Sequence, residues 1–287
     1  MEVKMTKKDW LVSITAGLVL ALATLYIHLG REFSPIPGAV LAQNEAQTIP
    51  DQSPAIMMIQ PEAQKVVESM LNSHARWTTL QAEAITTWYM KGDVDSSWLS
   101  KVMIVQPVQA RFETSLAGQK EANLWLMNGD QRYERDLVNN VEEQKRLPAF
   151  ATDPAALARL PVQIEEIALA ERIVYRHPIG MLVPSPVADY IYPVGLAQRG
   201  GQYTLIGEEQ IAGRIAWILE WVQEEVSDSH PPSLKQQFWV DQETGVVLKA
   251  RSYVGLNLAE LYEETVFTSI SYDQPVAPES FVFPTHK

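Results

Sequence analysis

The sequence predicts an α+β fold: an antiparallel sheet with a helix before its first strand and a helical insertion laid over one face. Apolar and polar residues alternate in about nine short segments of the chain, which is the period of half-buried strands. These segments follow one another in hairpin order and do not alternate with helices, which favours antiparallel pairing. Helical spacing of apolar residues occurs before the first segment and between the fourth and fifth.

The N-terminus predicts a membrane-spanning segment. Residues 1–10 contain three lysines, whereas residues 11–30 contain no Asp, Glu, Lys or Arg. Twenty helical residues at about 1.5 Å each extend roughly 30 Å, which is enough to cross the hydrocarbon core of a bilayer. The positive-inside rule then places residues 1–10 in the cytoplasm and the chain beyond residue 32 outside it. We therefore expect a signal anchor at 11–30 and an extracytoplasmic (periplasmic or extracellular) C-terminal domain.

The same segment is also compatible with a cleaved signal peptide, because small residues follow it at Val40–Ala42. Cleavage there would release the domain as a secreted protein, so both interpretations export it. Residues 31–60 contain four prolines and little periodicity, which is typical of an extended linker. The folded domain is therefore predicted to span residues 61–287.

The first half of the domain predicts one helix and four strands. Pro61 and Glu62 begin the helix, and apolar residues at three- and four-residue spacing extend it over 61–75. The polar segment Gly92–Trp98 is predicted as a solvated loop. Alternation of period two predicts strands at 82–90, 108–116, 124–127 and 131–138, the last two joined by an Asn128-Gly129 hairpin turn.

Residues 153–200 predict the insertion. Apolar residues at helical spacing predict a helix over 163–176, which ends at His177-Pro178. The rest of the insertion is interrupted by prolines and cannot join a central strand, so we expect it to cover one mouth or face of the sheet. Five further strands are predicted after it, at 202–210, 213–222, 238–240, 246–253 and 264–272.

Composition and motifs exclude several classes of function. The chain has no cysteine, which rules out disulfides, a thiolate nucleophile, Cys-bearing metal sites and a lipidated N-terminal cysteine. Lys and Arg number 23 against 35 Asp and Glu, so the formal net charge is 23 − 35 = −12, which argues against nucleic-acid binding. Catalytic and nucleotide-binding motifs are missing, and the five histidines are too scattered to predict a metal site. The sequence thus predicts a non-enzyme without a metal or cofactor.

Tryptophan is concentrated in the predicted sheet. Such an apolar face is filled either by the chain's own insertion, as an ordinary core, or by an apolar ligand. Composition by itself favours the ordinary core. The seven tryptophans on or beside predicted strands are Trp77, Trp88, Trp98, Trp125, Trp217, Trp221 and Trp239.

The C-terminal third of the chain resembles the LolA/LolB/RseB-like superfamily. Three segments carry the resemblance: a hairpin with a Gly-Arg start, a Trp-Val-Asp hairpin with Thr-Gly-x-x-Leu-Lys, and a closing strand that runs into Pro-x-x-Phe. The earlier Asn128-Gly129 hairpin resembles a displayed turn of the same family, and the resemblance covers roughly residues 61–285. The matching residues are Gly207, Gly213, Arg214, Trp239, Asp241, Thr244, Gly245, Leu248, Lys249, Pro278 and Phe281.

This resemblance implies an unclosed antiparallel half-barrel with a helical lid, around an apolar cavity that binds a lipid or the acyl chain of a lipoprotein. The lid is expected at 179–196, with Leu182, Tyr190 and Tyr192, and Arg111 is the candidate for the arginine that contacts the lid in family carriers. Family lipoproteins are anchored through a cysteine, which this chain lacks, so residues 11–30 are its only evident membrane attachment. The expected cavity residues are Phe112, Trp125, Trp217, Leu219, Trp221 and Trp239.

Two other functions stay open at this point. The superfamily includes the sensor domain of an envelope-stress regulator, which implies a module that binds a membrane regulatory protein such as an anti-sigma factor. The third option is a structural surface domain whose core is filled by its own side chains. The volume of any cavity under the lid distinguishes a ligand-binding domain from a filled one.

Overall fold

The structure is a computed structural model that describes residues 57–151, 160–161, 163–164, 175–183, 185–223, 234–255 and 257–284. All of these residues belong to one compact unit, which spans residues 52–287. The predicted cytoplasmic segment 1–10, the predicted anchor 11–30 and the predicted linker up to residue 56 lie outside the described residues, as does most of the predicted helix 163–176. No helix among the described residues is both long enough and apolar enough to cross a membrane.

One large sheet dominates the described part of the chain. Its strand order is β1-β8-β9-β10-β11-β12-β2-β3-β4-β5-β6-β7; β1 and β8 are parallel and every other pair is antiparallel. The edge strands β1 and β7 do not pair with each other, so the curved sheet is unclosed, as expected. The strands are β1 (Met57–Ile59), β2 (Thr79–Met90), β3 (Asp93–Val105), β4 (Gln109–Leu116), β5 (Asn123–Asn128), β6 (Gln131–Asp136), β7 (Val141–Arg146), β8 (Gly201–Ile211), β9 (Arg214–Val222), β10 (Leu234–Asp241), β11 (Val247–Val254) and β12 (Glu260–Tyr272).

Tight turns explain why the predicted hairpins form. Gly129 has a φ of 63° in the β5–β6 turn, and Ala212 and Gly213 have φ values of 49° and 80° in the β8–β9 turn. Left-handed turn residues match the right-handed twist of the two strands that they join. The two hairpins predicted at these positions are therefore confirmed.

Three strands depart from the predicted pattern. The loop predicted at Gly92–Trp98 is wrong, because Asp93–Val105 is a continuous strand whose first half is mostly exposed and polar. Such a strand end shows no apolar alternation, since neither of its faces is covered. Val141–Arg146 forms the polar edge strand β7, and Met57–Ile59, at the end of the predicted linker, forms β1 by pairing with β8.

The helices lie against one face of the sheet. Helix α1 (Pro61–Leu71) starts at a proline and buries Ala63, Val66, Val67, Met70 and Leu71, and a 3₁₀ turn at Ser73–Ala75 completes the segment predicted at 61–75. Within the predicted insertion, two short helices, α2 (Pro178–Leu182) and α3 (Pro186–Ile191), are followed by a 3₁₀ turn at Pro193–Gln198. We refer to the described residues of 178–198 as the lid, because they contain the segment 179–196 that is predicted as the lid.

Residue alternation defines an inner face beneath α1 and the lid. The strand register places Phe112 opposite Val102 and Trp125, and places Phe238 opposite Leu219 and Ala250. A bulge between Phe267 and Ser269 shifts the register of β12, so Phe267 faces inward before the bulge and Ile270 after it. The buried side chains of this face are Leu80, Ala82, Ala84, Val102, Ile104, Ala110, Phe112, Trp125, Met127, Leu219, Trp221, Phe238, Ala250 and Phe267.

Candidate functional site

A cavity of about 250 Å³ lies between the strands β2–β6 and the link from α2 to α3. Four aromatic side chains give it an apolar wall, and two of them, Phe112 and Trp125, meet edge to face with ring centroids 6.1 Å apart. Val183, Ser185 and Pro186 of the lid close it on the other side. Its full lining is Thr86, Trp88, Trp98, Ser100, Phe112, Thr114, Asn123, Leu124, Trp125, Glu134, Arg135, Asp136, Val183, Ser185 and Pro186.

Two hydrogen-bond donors of this lining have no partner among the described residues. They are the indole Nε1 of Trp125 on β5 and the guanidinium Nε of Arg135 on the neighbouring strand β6, and both atoms are buried. Arg135 also donates from Nη2 to the carbonyl oxygen of Ala122 at 3.1 Å, which fixes the guanidinium in place. The register places Arg135 opposite Leu124, on the outer face, so of the two donors only Trp125 Nε1 belongs to the inner face. A buried donor without an acceptor costs about 1–3 kcal/mol, so the inner wall is incomplete at Trp125 in the described chain.

The two carboxylates of the lining are engaged within their own strands and turn. Glu134 lies 3.4 Å from Nη1 of Arg132. Asp136 accepts hydrogen bonds from the backbone N–H groups of Val138 and Asn139 at 2.9 and 3.1 Å. Both carboxylates thus have partners of their own, although Glu134 is directly opposite Trp125 in the β5–β6 register.

The six predicted cavity residues lie in four different places, three on the inner side of the sheet and one on its outer face. Phe112 and Trp125 line the cavity. Leu219 and Trp221 are buried on the same inner face but under the lid, where Nε1 of Trp221 donates to the carbonyl of Gly200 at 3.2 Å. Trp217 borders a second, mostly polar cleft of about 480 Å³ beside α1, with Lys65 Nζ 5.0 Å from its ring centroid.

Trp239 lies on the opposite, outer face of the sheet. The register pairs it with Ile218 and Lys249, whereas its neighbour Phe238 points inward and is fully buried. Its indole N–H donates to Glu209, and Lys249 Nζ lies 4.3 Å from its ring centroid. Trp239 therefore does not share a cavity with Phe112 and Trp125.

Arg111 also lies on the outer face. It pairs with Glu113 and donates from Nη1 to the backbone oxygen of Ser280 at 3.0 Å, in the C-terminal segment that crosses β4 and β5. Among the described residues it contacts this C-terminal segment and not the lid. The structure therefore contradicts its candidacy as the lid-contacting arginine.

The predicted lid residues lie over the inner face but do not line the cavity. Tyr190 is buried and its hydroxyl donates to Oε1 of Glu263 on β12 at 3.3 Å. Burial raises the pKa of the Glu263 carboxyl, because the charged form loses water. Leu182 is half-buried against the core, and Tyr192 stacks on His177 with ring centroids 3.7 Å apart.

An imidazole pair, with His177 buried and His74 half-buried, joins the lid to the end of α1. The rings of His177 and His74 are 5.9 Å apart, and Nδ1 of His177 accepts a hydrogen bond from the backbone N–H of Ile179 at the start of α2. Burial lowers the pKa of both histidines and holds that of His177 well below its ordinary value, with a smaller contribution from repulsion by His74. Both imidazoles are therefore neutral at neutral pH.

The sequence reasoning missed part of the cavity. Trp98 was placed in a loop, so its face was undefined, although it is opposite Thr86 in the β2–β3 register. The period of two in the strand predicted at 82–90 puts Trp88 on one face with Ala82, Ala84 and Thr86, and the cavity that it lines also contains Trp98.

Comparison with known proteins gives structural similarity alone. No family model matches the sequence, and no curated protein matches it. The Pseudomonas aeruginosa MucA/MucB complex matches with 15% identity and a TM-score of 0.44, over 78% of this chain and 61% of the other. Mycobacterium tuberculosis lipoprotein LppX matches with 12% identity and a TM-score of 0.40, over 76% and 98%. A putative outer membrane lipoprotein-sorting protein domain from Vibrio parahaemolyticus matches with 12% identity and a TM-score of 0.29, over 76% and 97%.

The resemblance expected from the sequence motifs is confirmed as a similarity to these solved structures. The chain spans less than two thirds of the MucB chains that it matches. Because these TM-scores are below 0.5 and the identities are at most 15%, the similarity carries no conclusion about a ligand or partner.

Proposed function

We propose that this protein is an exported, membrane-tethered, non-catalytic domain that binds the apolar part of a lipid or lipidated protein beneath its lid. The observation that carries the proposal is the aromatic cavity of about 250 Å³ between β2–β6 and the α2–α3 link. Export and tethering rest on the charge pattern of residues 1–30.

The rest of the inner face supports this location for the ligand. Under α1 and the lid the sheet is filled by its own side chains, as the ordinary-core interpretation predicts. At β2–β6 the side chains leave a space whose wall is Trp88, Trp98, Phe112 and Trp125. Apolar walls of this kind favour apolar occupants over water.

The size of the cavity limits the ligand. Pockets for small molecules usually measure roughly 300–1,000 Å³, so about 250 Å³ accommodates one chain end and not several acyl chains. A larger lipid enters only if the lid moves. The link at Val183, Ser185 and Pro186 is the part of the lid that has to move, because it forms the cavity wall.

Filling the cavity tests the proposal. Ser100 lines the cavity and is 4% exposed, so Ser100→Leu puts a larger apolar side chain into the space that a ligand needs. We expect the full chain to lose at least tenfold in affinity for a fluorescent acyl probe, with an unchanged or slightly higher melting temperature because the cavity is filled.

Lys101→Leu is the matched control. It introduces the same side chain at the next residue of β3, on the outer face, where Lys101 forms an exposed ion pair with Glu83. This variant should bind the probe like the wild type. Equal losses in the two variants, or full binding by Ser100→Leu, would remove the cavity from consideration as the binding site.

A second function, a sensor module that binds a membrane regulatory protein such as an anti-sigma factor, is favoured by a different surface. Met90 and Val94 at the β2–β3 turn are 63% and 62% exposed, and Tyr262 on the adjacent strand β12 is 48% exposed. Exposed apolar side chains in one region are typical of protein contacts. Co-purification of a membrane protein that Met90→Asp abolishes and Ser100→Leu leaves intact would support this function.

A further inference from the structure

Beside helix α1, the described residues form a second cleft that shares no lining residue with the cavity under the lid. Its volume is about 480 Å³, which is within the range of roughly 300–1,000 Å³ that is usual for small-molecule sites. Its walls are α1, the turn after α1, the start of the insertion at Gln163, and Trp217 on β9. Because these walls are mostly polar, the cleft differs in chemistry from the aromatic cavity.

The cleft contains two cations, Lys65 and Arg76, that pair with no carboxylate in the described part of the chain. Most other Lys and Arg side chains of the described residues form ion pairs. Glu68 also lines the cleft, but it accepts a hydrogen bond from Gln64 Nε2 at 3.1 Å and pairs with neither cation. Two unpaired positive charges thus face one polar space in a chain whose formal net charge is −12.

Arg76 is held in place through one end of its guanidinium. Its Nη1 donates to Ser69 Oγ at 2.9 Å and to the backbone oxygen of Glu243 at 3.3 Å. Both acceptors are uncharged, so they orient the guanidinium without neutralising it. The edge formed by Nε and Nη2 is left for a planar group with two oxygens, which a guanidinium binds in a bidentate manner. Because the side chain is already ordered, binding costs less conformational entropy.

Lys65 is held on the opposite wall of the cleft by an aromatic ring. Its Nζ lies 5.0 Å from the ring centroid of Trp217, which is a cation–π contact. The ammonium therefore occupies one face of the ring, where a planar ligand would otherwise stack. Recognition in this cleft thus depends on charge and hydrogen bonds more than on stacking.

The charges of the lining select the kind of anion. Lys65 and Arg76 against Glu68 give a formal sum of 2 − 1 = +1. A singly charged anion neutralises this lining, whereas a doubly charged phosphate would leave a net negative charge close to Glu68. A carboxylate is singly charged and planar, and it matches the free edge of Arg76.

We propose that the cleft beside α1 is a second binding site, which takes a small polar monocarboxylic acid whose carboxylate is held by Arg76 and Lys65. This site does not depend on the proposed lipid cavity, since the two have separate walls.

Two pairs of probes test the proposal on the full chain in detergent: glucuronate against glucose, and N-acetylglycine against its uncharged amide. Each pair differs mainly in the carboxylate, and the two pairs distinguish a sugar acid from an acylated amino acid. The readout is the indole N–H signal of Trp217 in the ¹⁵N-labelled protein, assigned with Trp217→Phe. In at least one pair we expect the acid to bind about tenfold more tightly than its neutral counterpart, because it gains charge-assisted hydrogen bonds.

Variants of the two cations locate the binding. Arg76→Gln should abolish the preference for the acid, and Arg76→Lys, which keeps the charge and removes the planar fork, should restore only part of it. Lys65→Gln changes an exposed side chain and should also reduce the preference, so it decides the matter if Arg76→Gln does not fold by near-ultraviolet circular dichroism. Lys120→Gln is the matched control, because it removes the same charge from an exposed position outside the cleft, and it should bind the acid like the wild type.

Three results would overturn the inference: equal affinities of acid and neutral probe in both pairs, tighter binding of inorganic phosphate than of either acid, or an unchanged preference in Lys65→Gln and Arg76→Gln. Ser100→Leu, which fills the cavity under the lid, should leave acid binding unchanged. Loss of acid binding in that variant would mean that the acid binds in the cavity and not beside α1.

Discussion

Trp125 and Trp239 are buried to the same extent, each 3% exposed, and yet they lie in regions of opposite character. Trp125 is on the inner face, in the cavity, with an indole N–H that no described residue accepts. Trp239 is on the outer face, with its N–H bonded to Glu209 and Lys249 above its ring. Burial alone therefore does not distinguish the two tryptophans, whereas the face of the sheet and the partner of the indole N–H do.

The contrast extends to the surroundings of each residue. On the outer face, the polar groups next to Trp239 are paired: Gln237 donates to Glu220 at 3.0 Å, and Tyr253 donates to Gln237 at 3.2 Å. Beside the cavity, Ser100 and Thr114 leave open space. The outer surface of β9–β11 is thus complete without a ligand, and the cavity wall is not.

The largest expected effect tests how tightly the molecule is packed under α1 and the lid, where its own side chains fill the inner face of the sheet. Gly245 has a φ of 76°, and a Cβ there would lie 2.1 Å from the backbone oxygen of Ser69 in α1. Gly245→Ala should lower the free energy of unfolding by about 3 kcal/mol or more, because neither backbone has room to move. Urea denaturation measures this loss.

Gly213→Ala is the control for that measurement. Its φ is 80°, but no atom lies within 4 Å of the added Cβ, so only the left-handed backbone costs energy, about 1–2 kcal/mol. Equal losses in the two variants would show that the contact between the Gly245 loop and α1 is loose. The inner face under α1 would then be no more tightly packed than the cavity at β2–β6, and the contrast between these two regions would be wrong.

A smaller effect compares the two tryptophans directly. Trp239→Phe removes a hydrogen bond to a carboxylate, whereas Trp125→Phe removes a donor that has no partner in the described chain. We expect the first to destabilise the protein by about 1–2 kcal/mol more than the second, since the loss of ring volume is similar. Thermal and urea unfolding of both variants give the difference, and a larger loss for Trp125→Phe would mean that its N–H is already satisfied.

Local turn chemistry made much of the fold predictable. The Asn128-Gly129 and Ala212-Gly213 turns set their hairpins from a few adjacent residues. By contrast, β1 is three residues long and pairs with β8, more than 140 positions later in the chain. Its own sequence therefore contains no pattern that predicts a strand. The polar first half of β3 likewise carries no alternation.

The candidate site was predictable only where alternation was unambiguous. Phe112 is flanked by polar residues on β4, so its inward direction follows from the period of two. Phe238 and Trp239 are adjacent aromatic residues, and either could face inward until the register with β9 is known. A bulge such as that in β12 reverses the faces of all later residues, and its position depends on the partner strand.

The smallest effect concerns pH and the attachment of the lid. His74 and His177 have lowered pKa values in the folded protein, so the unfolded chain binds more protons once the pH falls below about 6.5. Stability should therefore decrease from pH 7 to pH 5, on the order of 1 kcal/mol. Glu263 acts in the opposite direction, since its raised pKa means that the folded protein takes up its proton first on acidification.

His177→Asn separates the imidazole contribution from that of Glu263. Asn keeps a side-chain acceptor at the start of α2, where His177 now accepts from Ile179, and it does not titrate. The neighbouring ion pair of Arg176 and Asp189, 3.6 Å apart, is unchanged. The unfolding free energy of the variant should thus vary less between pH 7 and pH 5 than that of the wild type.

Acyl-probe binding between pH 7 and pH 5 tests whether the decrease in stability is confined to the lid or also affects the cavity. If protonation loosens the lid where Tyr192 stacks on His177, the wild type should release the probe faster at pH 5 than at pH 7, and His177→Asn should not. The probe's release rate depends on the α2–α3 link, which shares the short α2 helix with His177. If the release rate depends on pH equally in the wild type and in His177→Asn, the imidazole pair does not influence the cavity. Its role is then limited to the stability of the sheet under α1 and the lid.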